Sequence, residues 1–172
     1  MRKVKMGHIC AILVLALFLQ MGFLNHVKLF GAKPDLMLIL TVFFGLFFGK
    51  RKGLQVGFVA GLIADLFTAD FFGINMFILG VTGFSAGAIS AKLFFFKESK
   101  TAELVLVFSF TVFAAILHFA LVLILTGFFA LNFRDYFISS VLPVSIYTSL
   151  LSIPVFLKLI NVYGLKELKE LI

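Results

Sequence analysis

The chain has no tryptophan, a single cysteine, three prolines and only eight acidic residues among 172. One cysteine, Cys10, excludes a disulfide framework and leaves no thiol pair for a metal site; its place inside the first apolar run suits a small buried residue. Charged residues make up 13% of the chain, against about a quarter in soluble domains, which excludes an ordinary soluble fold. No Asn-x-Ser/Thr acceptor, lipidation box or phosphate-cradling glycine loop occurs. What the chain has is hydrocarbon: 62% hydrophobic residues, 25 of them phenylalanine, and a mean hydropathy of +1.17. Such a composition reads as an all-α, polytopic membrane protein without a separate soluble domain.

Apolar runs between charged or turn-forming breaks predict about six spans in one compact bundle, at His8 to Asn25, Pro34 to Phe48, Gly53 to Phe67, Ile74 to Phe96, Leu104 to Leu131 and Val141 to Ile160. The second and third are short and reach only about 22 Å, so they need a thinned bilayer or help from their loops. The basic start and apolar stretch "MRKVKMGHICAILVLALFLQMGF" lack a small-x-small cleavage site, and we read them as the first helix and not a removed signal.

The net charge of +7 does not indicate nucleic acid, because the basic residues cluster between apolar runs, where they set orientation and meet anionic lipid. With six alternating helices, Arg2, Lys3, Lys5, Lys50, Arg51, Lys52, Lys92, Lys97, Lys100, Lys158, Lys166 and Lys169 share one side, and Lys28, Lys33 and Arg134 the other. Both termini and the "GKRKG" turn are therefore expected in the cytoplasm. The tail "YGLKELKELI" puts Leu165, Leu168 and Ile172 on one face, as an interfacial helix over 161–172 would.

Glycines carry the strongest pattern. Gly53, Gly57, Gly61 and Asp65 recur every fourth position, and Gly83, Gly87 and Ala91, with Gly45 and Gly49, repeat the device in neighbouring runs. Such smooth faces let helix backbones approach closely, within the bundle or against a partner span or second copy of the chain. Asp35 and Asp65 are expected near the outer surface beside Asp70, where a carboxylate can reach water or pair with Lys33 or Arg134. Gly73 and Asn75 suit a tight, helix-capping turn.

Other polar residues read as structural. His118, with Thr111 one heptad earlier, is expected to hydrogen-bond across helices, and nothing accompanies it at metal-ligand spacing. Pro143 and Pro154 share the last span with Ser145, Ser149 and Ser152, whose hydroxyls can serve carbonyls that proline leaves free. "GFSAG", from Gly83 to Gly87, matches a nucleophile elbow around Ser85, but it lies in an apolar helical run and not in a strand–turn–helix. No catalytic, cofactor-binding or metal-binding residue is expected.

The order of these features resembles the bacterial rod shape-determining membrane protein family MreD: a basic start, a first helix, Pro34–Asp35–Leu36 opening the second, "GFVAGLIADLFTADFFGIN" from Gly57 to Asn75, and a glycine-rich fourth helix. The resemblance implies a non-enzymatic inner-membrane subunit of the cell-elongation machinery. It further implies MreC as partner, with MreB, RodA and a penicillin-binding transpeptidase of peptidoglycan synthesis as further contacts. The implied fold is a six-helix bundle similar to substrate-binding subunits of energy-coupling vitamin transporters, and Asp35 and Asp65 would be structural or partner contacts. A vitamin-capturing subunit is the alternative. Against it, Ala11 and Ala16 do not make the Ala-x-x-x-Ala contact of such subunits, and few polar side chains are available to orient a ligand.

Overall fold

The computed structural model describes residues 6–22, 33–67, 72–90, 100–126 and 133–163. These form six helices, with no strand among the described residues. They are α1 (Met6–Met21), α2 (Leu36–Phe48), α3 (Lys50–Phe67), α4 (Ile74–Ser90), α5 (Lys100–Thr126) and α6. The last comprises a first turn Phe133–Tyr136, a π turn Phe137–Val141 and a body Leu142–Tyr163. Two helical stretches, Thr101–Leu125 and Arg134–Tyr163, are long and apolar enough to cross a membrane, and three shorter apolar helices accompany them.

Helices α2, α3 and α4 make the closest-packed unit of the fold, with α3 and α4 the most intimate pair. The connection between α2 and α3 is a single residue. Gly49 takes a φ of +84°, its N–H donates to the Gly45 carbonyl at 2.9 Å, and its own carbonyl accepts from Gly53 at 2.9 Å. A positive φ of this size is a conformation glycine adopts without steric cost. The basic triplet Lys50–Lys52 is thus the first turn of α3 itself, and α3 begins before the expected Gly53.

From Leu36 to Leu46 every residue of α2 is buried, so this 13-residue helix is the axis of the bundle. Its lower half carries an aromatic cluster. The Phe43 ring stands edge-on to Phe156 at 5.1 Å, and Tyr163 meets Phe44 at 5.6 Å, joining α2 to the end of α6. Helix α1 packs Ile9, Leu13, Ala16 and Leu17 inward while Leu15 and Phe18 face outward. Helices α5 and α6 pair with each other and are joined at one end by stacked Phe119 and Tyr136, 5.1 Å apart.

Helix α6 starts at Phe133, earlier than the expected Val141. Pro143 has no N–H to offer its preceding turn, and the π turn just ahead, where Leu142 bonds back to the Phe137 carbonyl, lets the helix run on through it. The serine hydroxyls do not serve the carbonyls that proline frees. Ser149 donates to Ile146 and Ser152 to Ser149, while Ser145 Oγ is buried without a partner among the described residues. Helix α5 likewise begins at Lys100, ahead of the expected Leu104, with Glu103 in its first turn, where an acid favours the helix dipole. The end of the fourth predicted span, Asp70 and the tail beyond Tyr163 lie outside the described residues.

Candidate functional site: the Asp65 clasp and the glycine face

The stripe Gly53, Gly57, Gly61, Asp65 lies along the buried face of α3, against α4. A side chain at Gly53 would run into the Gly83 carbonyl, one at Gly57 into that of Leu79, and one at Gly61 into the backbone of Asn75 and Met76. From the other side, a methyl at Gly83 would meet the Gly53 carbonyl, and one at Gly87 the backbone of Lys50. Helix α2 joins the same seam, since a methyl at Gly45 would stand 2.6 Å from the Gly83 oxygen. The glycines of the three helices thus pack on one another inside the chain. At Gly45, Gly53, Gly57, Gly61, Gly83 and Gly87 the space of a side chain is taken by this chain's own helices.

Asp65 stands at the end of that seam and is 3% exposed. Its Oδ2 accepts the N–H groups of Gly73 at 3.1 Å and Met76 at 3.0 Å, and its Oδ1 accepts that of Asn75 at 3.1 Å. Gly73, at φ +98°, turns the chain so that these donors converge. The first N–H groups of a helix have no partner in their own helix, and the helix dipole is positive there, so a carboxylate is the matching acceptor. Asp65 is in effect the N-cap of α4 supplied from α3, and Gly61 one turn earlier is what lets the two backbones come close enough.

Water and cations were the expected partners of this acid. The structure replaces them: Asp65 is held by backbone, while Lys33 and Arg134 are exposed. The reason is energetic, since unpaired backbone donors cannot be left in hydrocarbon and a buried carboxylate needs several hydrogen bonds. A carboxylate has about four lone-pair positions, and three are occupied here.

Asp35 caps its own helix. Its Oδ1 accepts from Leu38 N at 3.0 Å, and its own N–H donates to Thr148 Oγ1 of α6 at 3.1 Å. The next N–H, of Leu36, donates to Gln20 Oε1 of α1 at 3.1 Å. Pro34 before it is buried. The start of α2 therefore ties α1, α2 and α6 together. Gln20 and Thr148 belong to no motif in the sequence. Their one signal is polarity inside apolar runs, with Thr148 on the same helical face as Ser145 and Ser152.

The remaining candidates stay apart. Thr111 donates to the Val107 carbonyl of its own helix at 2.8 Å and not to His118. Ser85 lies inside α4. No group of three or more His, Cys, Asp or Glu placed to hold a metal occurs among the described residues.

Two helical stretches long and apolar enough to cross a membrane, with a glycine-packed interior, fit a helical membrane protein. The family model for rod shape-determining protein MreD matches residues 1–165. The chain belongs to the MreD family of rod shape-determining proteins. No curated protein and no solved structure gives a match. The implied likeness to vitamin-transporter subunits gains no support from these comparisons.

Proposed function

We propose that this chain is a non-catalytic scaffold of the bacterial rod-shape complex, which binds MreC and supports peptidoglycan synthesis during elongation. In this reading it crosses the cytoplasmic membrane six times with both tails inside. MreB, RodA and a penicillin-binding transpeptidase are its further partners.

The family match carries the assignment to shape determination. The state of Asp65 carries the non-catalytic part, because an acid committed to three backbone donors is not free to move protons for a substrate. The basic triplet supports the orientation. Lys50, Arg51 and Lys52 occupy the first turn of α3, where positive charge opposes the helix dipole, so helix stability does not explain them. Anchoring the turn on the cytoplasmic side does.

The test is capture of the tagged chain from native membranes. MreC is expected to co-purify, and depletion of the chain is expected to round the cells. Recovery of the intact chain without MreC would overturn the partner. Orientation is read separately with single cysteines in a Cys10→Ser background: Lys33→Cys labelled by an impermeant maleimide from outside, Arg51→Cys only after permeabilisation.

A further inference from the structure

The two halves of the bundle are built to different lengths. Helix α5 has 27 residues, about 40 Å at 1.5 Å per residue, and its outward residues Val105, Phe113, Ile116 and Ile124 cover about 30 Å, a full hydrocarbon thickness. Helix α2 has 13 residues, and Asp35 to Gly49 reaches about 21 Å. Helix α3 runs back beside it, and although it has 18 residues its outward apolar face, from Leu54 through Phe58 to Leu66 and Phe67, spans only about 20 Å.

Neither end of this short hairpin can slide to make up the difference. At one end Gly49 holds the tight turn, exposed Lys50 and Arg51 follow at once, and Gly87 packs on the Lys50 backbone. At the other end Asp35 and Asp65 bind the starts of α2 and α4. Tilting the hairpin only shortens its reach across the bilayer. Snorkelling of the lysine and arginine stems recovers a few ångströms of a shortfall near 10 Å, and the lipid must supply the rest.

We propose that the face of α3 formed by Leu54, Phe58, Leu66 and Phe67 is a docking surface for short or compressed acyl chains, so that the chain thins the bilayer on that side and is most stable in thin, fluid membrane. This rests on the multi-pass placement proposed above. That placement is tested by cysteine labelling, and its failure is distinct from failure of the proposal.

The experiment uses the unchanged full chain in phosphatidylcholine vesicles whose monounsaturated acyl chains run from 14 to 22 carbons, and reads thermal loss of helix signal. The midpoint is expected to be highest at 14 or 16 carbons and to fall steadily toward 22. A flat series, or a maximum at 18 carbons or longer, overturns the proposal. A second reading exploits the absence of tryptophan. Leu54→Trp and Leu66→Trp, measured singly in 18-carbon vesicles, are expected to be quenched by bromines placed near the headgroups, one from each leaflet. Stronger quenching of either probe by bromines near the chain ends overturns it.

Discussion

Met76 donates its backbone N–H to the carboxylate of Asp65 at 3.0 Å, and its Cα occupies the space that a side chain on Gly61 would fill. The two contacts are one device. Gly61 brings the start of α4 against α3, and Asp65, one turn further, receives the donors that this approach would otherwise strand in an apolar interior. An acid inside an apolar bundle is here the least costly acceptor for a helix end that must be buried.

Replacing Asp65 separates this role from a chemical one. Asp65→Ala strands three buried N–H groups, each worth about 1–3 kcal/mol, so a loss of about 3 kcal/mol or more is expected. Asp65→Asn keeps one good acceptor and turns an NH2 toward a donor, and should fall between. The order is read by titrating the purified chain in mixed micelles with dodecyl sulfate and following helix content. An Asp65→Asn chain of unaltered stability that no longer supports rod shape would contradict the clasp as the reason for the acid.

Glycines of the same helix should differ sharply. A methyl at Gly83 collides with the Gly53 carbonyl, whereas one at Gly80 finds its nearest neighbour, Leu54 Cδ1, at an ordinary 3.7 Å. Gly83→Ala is therefore expected to cost about 2 kcal/mol or more by forcing helices apart, as overpacking does. Gly80→Ala is expected to be neutral or to gain up to about 1 kcal/mol from helix propensity. Equal effects in the same titration would show that the seam is looser than the backbone contacts require.

Gly73 is tested by conformation alone. No atom lies within 4 Å of a methyl placed there, yet its φ is +98°. Gly73→Ala should cost about 1–2 kcal/mol through strain, and less in an Asp65→Ala background, where the clasp that needs the turn is already gone. A double-mutant cycle in the same micelles gives the coupling, and strict additivity would separate the turn from the clasp.

Much of this was legible in the sequence. Four-residue spacing marked Gly53, Gly57, Gly61 and Asp65 as one face, and composition marked the membrane class. The partners of Asp65 were not legible, because backbone N–H groups look alike in every sequence, and the visible cations Lys33 and Arg134 drew the expectation instead. The start of α6 was hidden for a related reason: Arg134 and Asp135 read as a charged break between apolar runs, whereas they lie in the first turn of the helix, ahead of its π turn. Gln20 and Thr148 are far apart in the chain, and no periodicity connects them.

The meeting of three helices at the start of α2 yields the last prediction. Asp35 and Leu36 give consecutive N–H groups to Thr148 of α6 and Gln20 of α1. Thr148→Val removes one acceptor while keeping shape, and about 1–3 kcal/mol should be lost; Thr148→Ser, which keeps the hydroxyl, should lose much less. Gln20→Leu should cost a similar amount, and its effect should centre on α1, which keeps only the packing of Ile9, Leu13, Ala16 and Leu17. A disulfide probe distinguishes the two. With Cys10 replaced, a cysteine pair introduced at Leu13 and a facing position of α2 should form its cross-link more slowly in the Gln20→Leu chain and at the unchanged rate in the Thr148→Val chain. If both substitutions slowed it alike, the start of α2 would be a single cooperative joint, not two independent ties.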